Sequence, residues 1–583
     1  MPLTEFNYLF AIGTIFAALD AWNIGANDVA NSWATSVASQ SVTYLQAMVL
    51  ASVMEFAGSV GVGARVADTI RTKIVDTTLF VNDPAMLMLG MVCAVVASSC
   101  YLTFATKMGM PVSTTHSIMG GVIGMGIASV GADGIQWVGK GGGTGRINSG
   151  VIQVFLAWII APGLAGCFAS IIFLITKYFV MLRKNPVRNA LVLVPIYFAV
   201  TASLLTMLLL WKGGSYKIDL TDAQVAGTIV GVGAGFGILV ACTLMPWLYR
   251  VVICDDWQLR WWHIPLGPLL LRRGEVPPPP EGVSPVVKNY YEGRLTKEEL
   301  EARRAAARGD VEASAANGGS DSVEQKLNGA SSSNDIATEP AVPVPQRKSL
   351  VGPKPDGKWY ESKVLFWYFK WLLLRGVDKD VVNATSTNSA LARNLEEVHA
   401  YAAHYDNKAE YMYSFLQIMT AATASFTHGA NDIANAIGPY ATVFQIWNQG
   451  LVPASGKSQV PTWILVFGGC CLVLGVWTYG YHIMRNLGNR LTLQSPSRGF
   501  SMELGAAITV ILATRLKLPV STTQCITGAT VGVGLCSGTW RTVNWRMVAW
   551  IYLGWIITLP MTGIISGCLM GIIINAPRWG YSG

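Results

Sequence analysis

The amino-acid sequence predicts an all-α polytopic membrane protein of about 12 transmembrane segments, built as two inverted repeats with broken or re-entrant helices at the repeat interface. Three observations predict it. The 583 residues are 52% hydrophobic and only 13% charged, whereas a soluble domain carries about 25% charged residues. Apolar runs of about 20 residues, the length that crosses a bilayer, recur along the chain. Two near-identical strings, Gly25-Ala26-Asn27-Asp28-Val29-Ala30-Asn31 and Gly429-Ala430-Asn431-Asp432-Ile433-Ala434-Asn435, set a carboxylate inside such runs. An unpaired Asp there costs about 2.5 to 3.5 kcal/mol, so an arrangement that occurs twice has a use.

The apolar runs lie near 6–37, 43–66, 85–106, 151–181, 190–211 and 223–252, then near 411–440, 461–484, 500–517 and 546–575. Two shorter glycine-rich stretches, 111–131 and 518–536, cross or dip in, which gives ten to twelve spans. Glu5 replaces a basic n-region and the first run is too long for an h-region, so it reads as an uncleaved span. That run loses its apolar character at Asp20-Ala21-Trp22-Asn23-Ile24-Gly25. An unwound helix is expected there, lining a cavity or buried in protein. The second run carries Glu55.

Pro111-Val112-Ser113-Thr114-Thr115-His116 reads as the start of a short helix inside the membrane, because proline suits the first turn and a hydroxyl caps it. Gly120, Gly121, Gly124 and Gly126 then permit close helix packing. The same text returns as Pro519-Val520-Ser521-Thr522-Thr523-Gln524, 408 residues later, while the Asn-Asp strings repeat at 404. The chain is therefore a duplicated unit. Basic clusters at Lys177 to Arg188, Arg250 to Arg273 and Arg485 to Arg498 should face the cytoplasm. Counting 111–131 as a crossing puts seven passes before the central segment. The N-terminus then lies outside and the repeats are opposed, the commonest plan of secondary transporters, whereas a purely re-entrant 111–131 would make the halves parallel.

Residues 1–252 and 411–583 are the two membrane halves. Between them, 253–410 reads as a largely disordered cytosolic loop, with Pro277 to Pro280 and Gly, Ser, Ala and Asn runs through Asn334. A membrane-surface helix is expected near 362–375, where Lys363 and Lys370 flank aromatic residues. Its sequon, Asn383-Ala384-Thr385, would go unused in the cytosol. The ten cysteines show no C-x-x-C or Cys/His ligand spacing, so no metal or disulfide role is assigned. The net charge of +8 reflects cations flanking spans, not a nucleic-acid surface.

Brought together, the four strings supply two carboxylates, four amides and six hydroxyls, with N–H groups at two helix starts. Ser113, Thr114, Thr115, Ser521, Thr522 and Thr523, with those helix starts, suit an oxyanion. The carboxylates and amide oxygens suit a hard cation such as sodium. An anion beside Asp28 and Asp432 is repelled until cations neutralise them, so such a site couples the two ions. The carboxylates can also accept a hydrogen bond from a protonated oxyanion, favouring hydrogen phosphate over sulfate. His116 and His428 read as packing or supporting groups and not as ligands.

The paired G-A-N-D-[VI]-A-N and P-V-S-T-T strings resemble those of the inorganic phosphate transporter family of sodium-dependent phosphate symporters. The opening Phe10 to Asn31, with Met54-Glu55-Phe56 and the central loop, is similar to its fungal plasma-membrane members. The resemblance covers both membrane halves. It implies symport of sodium and monovalent phosphate by alternating access, with no cofactor and no enzymatic activity. It places sodium at Asn27, Asp28, Asn431 and Asp432, phosphate at the hydroxyls, and essential coupling glutamates at Glu55 and Glu503. Val95, not Glu55, is the repeat mate of Glu503, so the two glutamates need not share a role. Expected partners are phosphate, sodium and the bilayer, with a homodimer left open. A proton-coupled phosphate symporter, a phosphate-sensing receptor and an ion channel are the alternatives.

Overall fold

The structure, a computed structural model, describes residues 3–72, 74–139, 150–212, 220–280, 285–316, 349–374, 376–377, 391, 395–452, 460–515 and 520–576. Asn383, Arg347 and Lys348 lie outside them. The described residues are helical, with one isolated bridge between Val75 and Ile135.

Sequence signals set the boundaries of the main helices. In α3 (Pro84–Met108), the Asp83 carboxylate accepts from Met86 N–H and Pro84 takes the first turn. The helix stops at Gly109, whose φ of 72° is left-handed. α4 (Thr114–Val130) begins at its cap Ser113 after a turn, 109–113, that is wholly buried. The two helices form an antiparallel hairpin. Ser98 Oγ donates to Ser117 Oγ, Gly121 packs on Ala94, and Gly90 packs on Met125. α14 (Pro496–Arg515) and α15 (Thr522–Ser537) make the second hairpin, held at its base by Arg498 Nε donating to Ser537 Oγ.

The two Asn-Asp strings lie on α1 (Asn7–Ala38) and α11 (Asn407–Gln449). These helices run antiparallel: Trp447 Nε1 donates to Asn7 and Thr14 Oγ1 lies 3.0 Å from Tyr440 Oη. Equivalent helices of the two repeats are thus opposed, as an inverted duplication requires. α2 (Tyr44–Thr72) packs parallel to α11, and α12 (Thr462–Tyr479) packs parallel to α1. The outer helices are α5 (Val151–Thr176), α6 (Pro186–Lys212), α7 (Asp222–Leu248) and α16 (Trp545–Asn575).

One expectation is corrected. Helix α1 is continuous through Asp20 to Gly25, and α11 through its own string, so neither is broken there. Asn23 has partners on α3 instead of unwinding the backbone: its Nδ2 donates to Ser99 O and Thr103 Oγ1 at 3.1 and 3.0 Å. Among the described residues, irregular backbone at depth is found in the turn of the first hairpin, 109–113. The count of about 12 spans is not reproduced by length and apolarity alone. Among the described residues, eight helices are long and apolar enough to cross a membrane. The 43-residue α11 is long enough but carries too many polar groups, and α4 and α15 are half-length hairpin arms.

Leu3 N–H donates to Trp447 O, and α16 runs parallel to α4, so both described ends of the chain lie at one face, the terminal face. The central segment lies at the other. There α8 (Lys297–Ala316) pairs with α10 (Leu395–Ala400) through Arg303 to Glu396 and Arg304 to Glu397, and α9 (Ser362–Leu374) packs on α12. The expectation of a loop too poor in apolar residues to fold does not hold over 285–300, because Tyr290, Tyr291 and Leu300 are buried. Tyr291 Oη donates to Glu410 at 2.9 Å and accepts from Tyr405 N–H, and Lys288 donates to Gln40 O. Tyr291→Phe removes one of three hydrogen bonds to a buried carboxylate, since Ser497 N–H and Oγ supply the others. It is expected to destabilise the protein by about 1 kcal/mol, read as a lowered melting temperature in detergent with phosphate uptake retained.

Candidate functional site

The two hairpins enter from opposite faces, and their second arms, α4 and α15, begin side by side between α1 and α11. Thr523 Oγ1 donates across this meeting point to Val112 O at 3.2 Å. Each Asp takes a hydroxyl from the hairpin of its own repeat: Thr114 Oγ1 donates to Asp28 Oδ2 and Thr522 Oγ1 to Asp432 Oδ2, both at 2.9 Å. Each string's last Asn, one helical turn on, reaches the opposite hairpin. Asn31 Nδ2 donates to Thr522 and Thr523 at 3.3 and 2.9 Å, and Asn435 Nδ2 to Thr114 and Thr115 at 3.1 Å each. The four strings therefore converge on one buried site with crossed, two-fold related contacts.

Of the predicted cation ligands, Asp28 and Asp432 sit at the centre and are 1% exposed. Asn27 serves the hairpin: its Nδ2 donates to Thr106 and Met110 O, and its Oδ1 accepts from Val112 N–H. Asn431 Nδ2 donates to its neighbour Asp432 at 3.0 Å. Ser113 caps α4 through His116 N–H, whereas Ser521 makes no side-chain cap. Both helix starts point into the site, so unbonded N–H groups and the positive dipole ends face it.

Sequence reasoning counted Asn31 and Asn435 among the four amides without giving them a role, and read His428 as packing or support; the fold brings all three into the site. Asn31 and Asn435 close both strings, and Asn31 Oδ1 is buried without a hydrogen-bond partner. His428 is not a packing group. Its Nε2 lies 3.0 Å from Asp432 Oδ2 and 3.5 Å from Asp28 Oδ2, and its Nδ1 lies 2.6 Å from Glu55 Oε2. The available signal was its place one turn before Asp432 on the same helix face. Asp28, His428 and Asp432 present donor atoms within 4.8 Å of one another, a set able to hold a metal ion. His116 stays apart, accepting from Trp158 Nε1 at 3.2 Å.

The glutamates occupy unlike surroundings. Glu55 on α2 accepts from Ser425 Oγ at 3.0 Å and faces His428. Glu503 on α14 accepts from Thr35, Ser36, Gln417 and Thr420 at 2.6, 2.7, 3.2 and 2.5 Å. A small cavity lined by Asn31, Thr427, His428, Glu503 and Thr522 joins it to the central site.

Residues 24–566 match the family described as the phosphate transporter family. The chain is 71% identical over its whole length, and that of the relative, to the phosphate-repressible phosphate permease pho-4 of Neurospora crassa. It is 26% identical to sodium-dependent phosphate transporter 1 of Mus musculus, over 97% of this chain and 95% of that one. A solved structure described as the sodium-dependent phosphate transporter superposes with a TM-score of 0.61 at 24% identity, covering 98% of this chain and all of the other, and so supports the fold. The chain is a multi-span phosphate transporter, not an enzyme, and belongs to the phosphate transporter family.

Proposed function

We propose that this transporter is a symporter of the plasma membrane that imports phosphate with sodium by alternating access, its central segment in the cytosol and its termini outside. The observation that carries this reading is the crossed hydrogen-bonding of Asp28, Asn31, Asp432 and Asn435 with the two threonine clusters. Sodium ions are held by the Asp28 and Asp432 carboxylates with Asn27, Asn31 and Asn431 oxygens about them. Phosphate is held by Ser113, Thr114, Thr115, Ser521, Thr522 and Thr523 and by the starts of α4 and α15. Two carboxylates repel the anion until cations neutralise them, which makes phosphate binding depend on sodium. A monovalent phosphate still carries hydroxyls that donate to carboxylate oxygens. Glu55 acts on the same carboxylates through His428, and Glu503 ties the second hairpin to α1 and α11.

Each substrate-bearing helix contacts both hairpins, so a shift of one repeat against the other closes one face as it opens the other. The named relatives that depend on sodium support the choice of co-substrate. The apolar side of α9, with Phe366 and Phe369 exposed between Lys363 and Lys370 and Leu372 just beyond, suits the surface of the cytosolic leaflet. The test is labelled-phosphate uptake into liposomes holding the purified protein, with external sodium or choline. Accumulation above equilibrium under a sodium gradient alone is expected. Equal uptake in both salts overturns the reading, and uptake that follows a proton gradient instead points to a proton-coupled carrier.

A further inference from the structure

Outside the central site, α1 carries one more buried carboxylate. Asp20 is 0% exposed and lies eight residues before Asp28, about 12 Å nearer the terminal face. Its Oδ2 has no hydrogen-bond partner, and its Oδ1 is 3.4 Å from Ser99 Oγ. That is well beyond the usual 2.7 to 2.8 Å for O–H···O. The neighbouring hydroxyls have closer or competing acceptors: Ser99 donates to Phe16 O at 2.8 Å and Ser98 to Ser117 at 3.1 Å, so Asp20 has only a share of each. Among the described residues no basic side chain pairs with Asp20. Glu503, by contrast, is gripped by four donors.

The repeat makes the contrast sharper. The mates of Asp20, Ser98 and Ser99 in the second half are Ala424, Ala506 and Ala507, which line the apolar wall of the cavity beside Glu503. The mates of Glu503, Gln417 and Thr420 are Val95, Gly13 and Phe16. At these paired positions each half thus keeps one buried carboxylate, but on a different helix, and the one toward the terminal face has only weak, shared donors.

We propose that Asp20 is a further sodium site, separate from the central one and on its terminal-face side. A lone carboxylate at this depth needs a counter-charge. The oxygens around it, the Ser98 and Ser99 hydroxyls, are the hard donors a small cation takes. The loose 3.4 Å spacing leaves the carboxylate free to bind one, where a proton would leave those oxygens unused. The ion bound there precedes those of the central site on the way in from the terminal face.

This inference rests on the sodium-symport reading, and the experiment separates the two. Labelled sodium and labelled phosphate fluxes are measured in parallel in liposomes with wild type and Asp20→Asn. The sodium-to-phosphate ratio is expected to fall by one ion per phosphate in the variant, with the half-saturating phosphate concentration unchanged at saturating sodium. An unchanged ratio and sodium dependence overturn the proposal, including when only the pH profile moves, since that assigns Asp20 to a proton. Should Asp20→Asn fail to reach the membrane, Ser99→Ala removes a ligand and keeps the carboxylate. It is expected to raise half-saturating sodium several-fold, and no rise overturns the site. Failure of the symport reading looks different: wild-type uptake itself would ignore sodium, and the Asp20 proposal would fall with it.

Discussion

Asp28→Asn and Asp432→Asn are each expected to cut sodium-driven phosphate uptake about ten- to a hundredfold, with the protein still in the membrane. A hydrogen bond to a charged group is worth about 1.5 to 3 kcal/mol, and 1.4 kcal/mol is about a factor of ten. Each substitution loses such a bond, from Thr114 or from Thr522. It also removes half of the negative charge that draws sodium to the site. The amide is nearly isosteric and α1 and α11 are held along their whole lengths, so the fold survives. The two variants should not be additive, because both carboxylates face the same imidazole nitrogen at 3.5 and 3.0 Å. Uptake kinetics against sodium concentration, normalised to surface protein, check this. Wild-type sodium dependence in either variant would remove that carboxylate from the site.

Much of this site was legible in the letters. A carboxylate inside an apolar run carries its own demand for an explanation, and the duplication at 404 and 408 residues pairs each Asn-Asp string with a hydroxyl string. What the letters withheld was the crossing. Asn31 and Asn435 are as visible as Asp28, but that each serves the hairpin of the other repeat depends on the opposed running of α1 and α11. The donors of Glu503 come from α1, 467 and 468 residues away, and from α11, 83 and 86 away. No local pattern predicts such a cluster. His428 was undervalued for a related reason. One carboxylate lies a turn away on its own helix, but the other two, Asp28 and Glu55, come from α1 and α2.

Gly25, which opens the first string, was misread more thoroughly, and the correction, which extends to Gly429, yields a prediction as large as that for the aspartates. Glycine before Asn-Asp suggested unwinding, yet both helices pass through it unbroken. Its role is contact. A Cβ on Gly25 would lie 2.0 Å from Leu472 O on α12, and Gly475 there meets Trp22 O at 1.9 Å in return. A Cβ on Gly429 would lie 2.2 Å from Glu55 O on α2, and Gly58 meets Phe426 O at 2.1 Å. Two parallel helix pairs thus approach backbone to backbone beside the site, as small residues allow in membranes. Overpacking a close contact costs about 1 to 3 kcal/mol, occasionally more, and here a rigid backbone cannot yield as a flexible side chain would. Gly25→Ala is therefore expected to part α1 from α12, and Gly429→Ala to part α11 from α2 and displace Glu55 from His428. Each should bring phosphate uptake below about a tenth of wild type through lost folded protein and a distorted site. Gly61→Ala on α2 is the control: its Cβ meets nothing within 4 Å, and replacing a helical glycine there stabilises by up to about 1 kcal/mol. Surface abundance, melting temperature and uptake of the three variants decide the matter. Wild-type behaviour of Gly25→Ala and Gly429→Ala alongside Gly61→Ala would show that the strings keep their glycines for a reason other than helix contact.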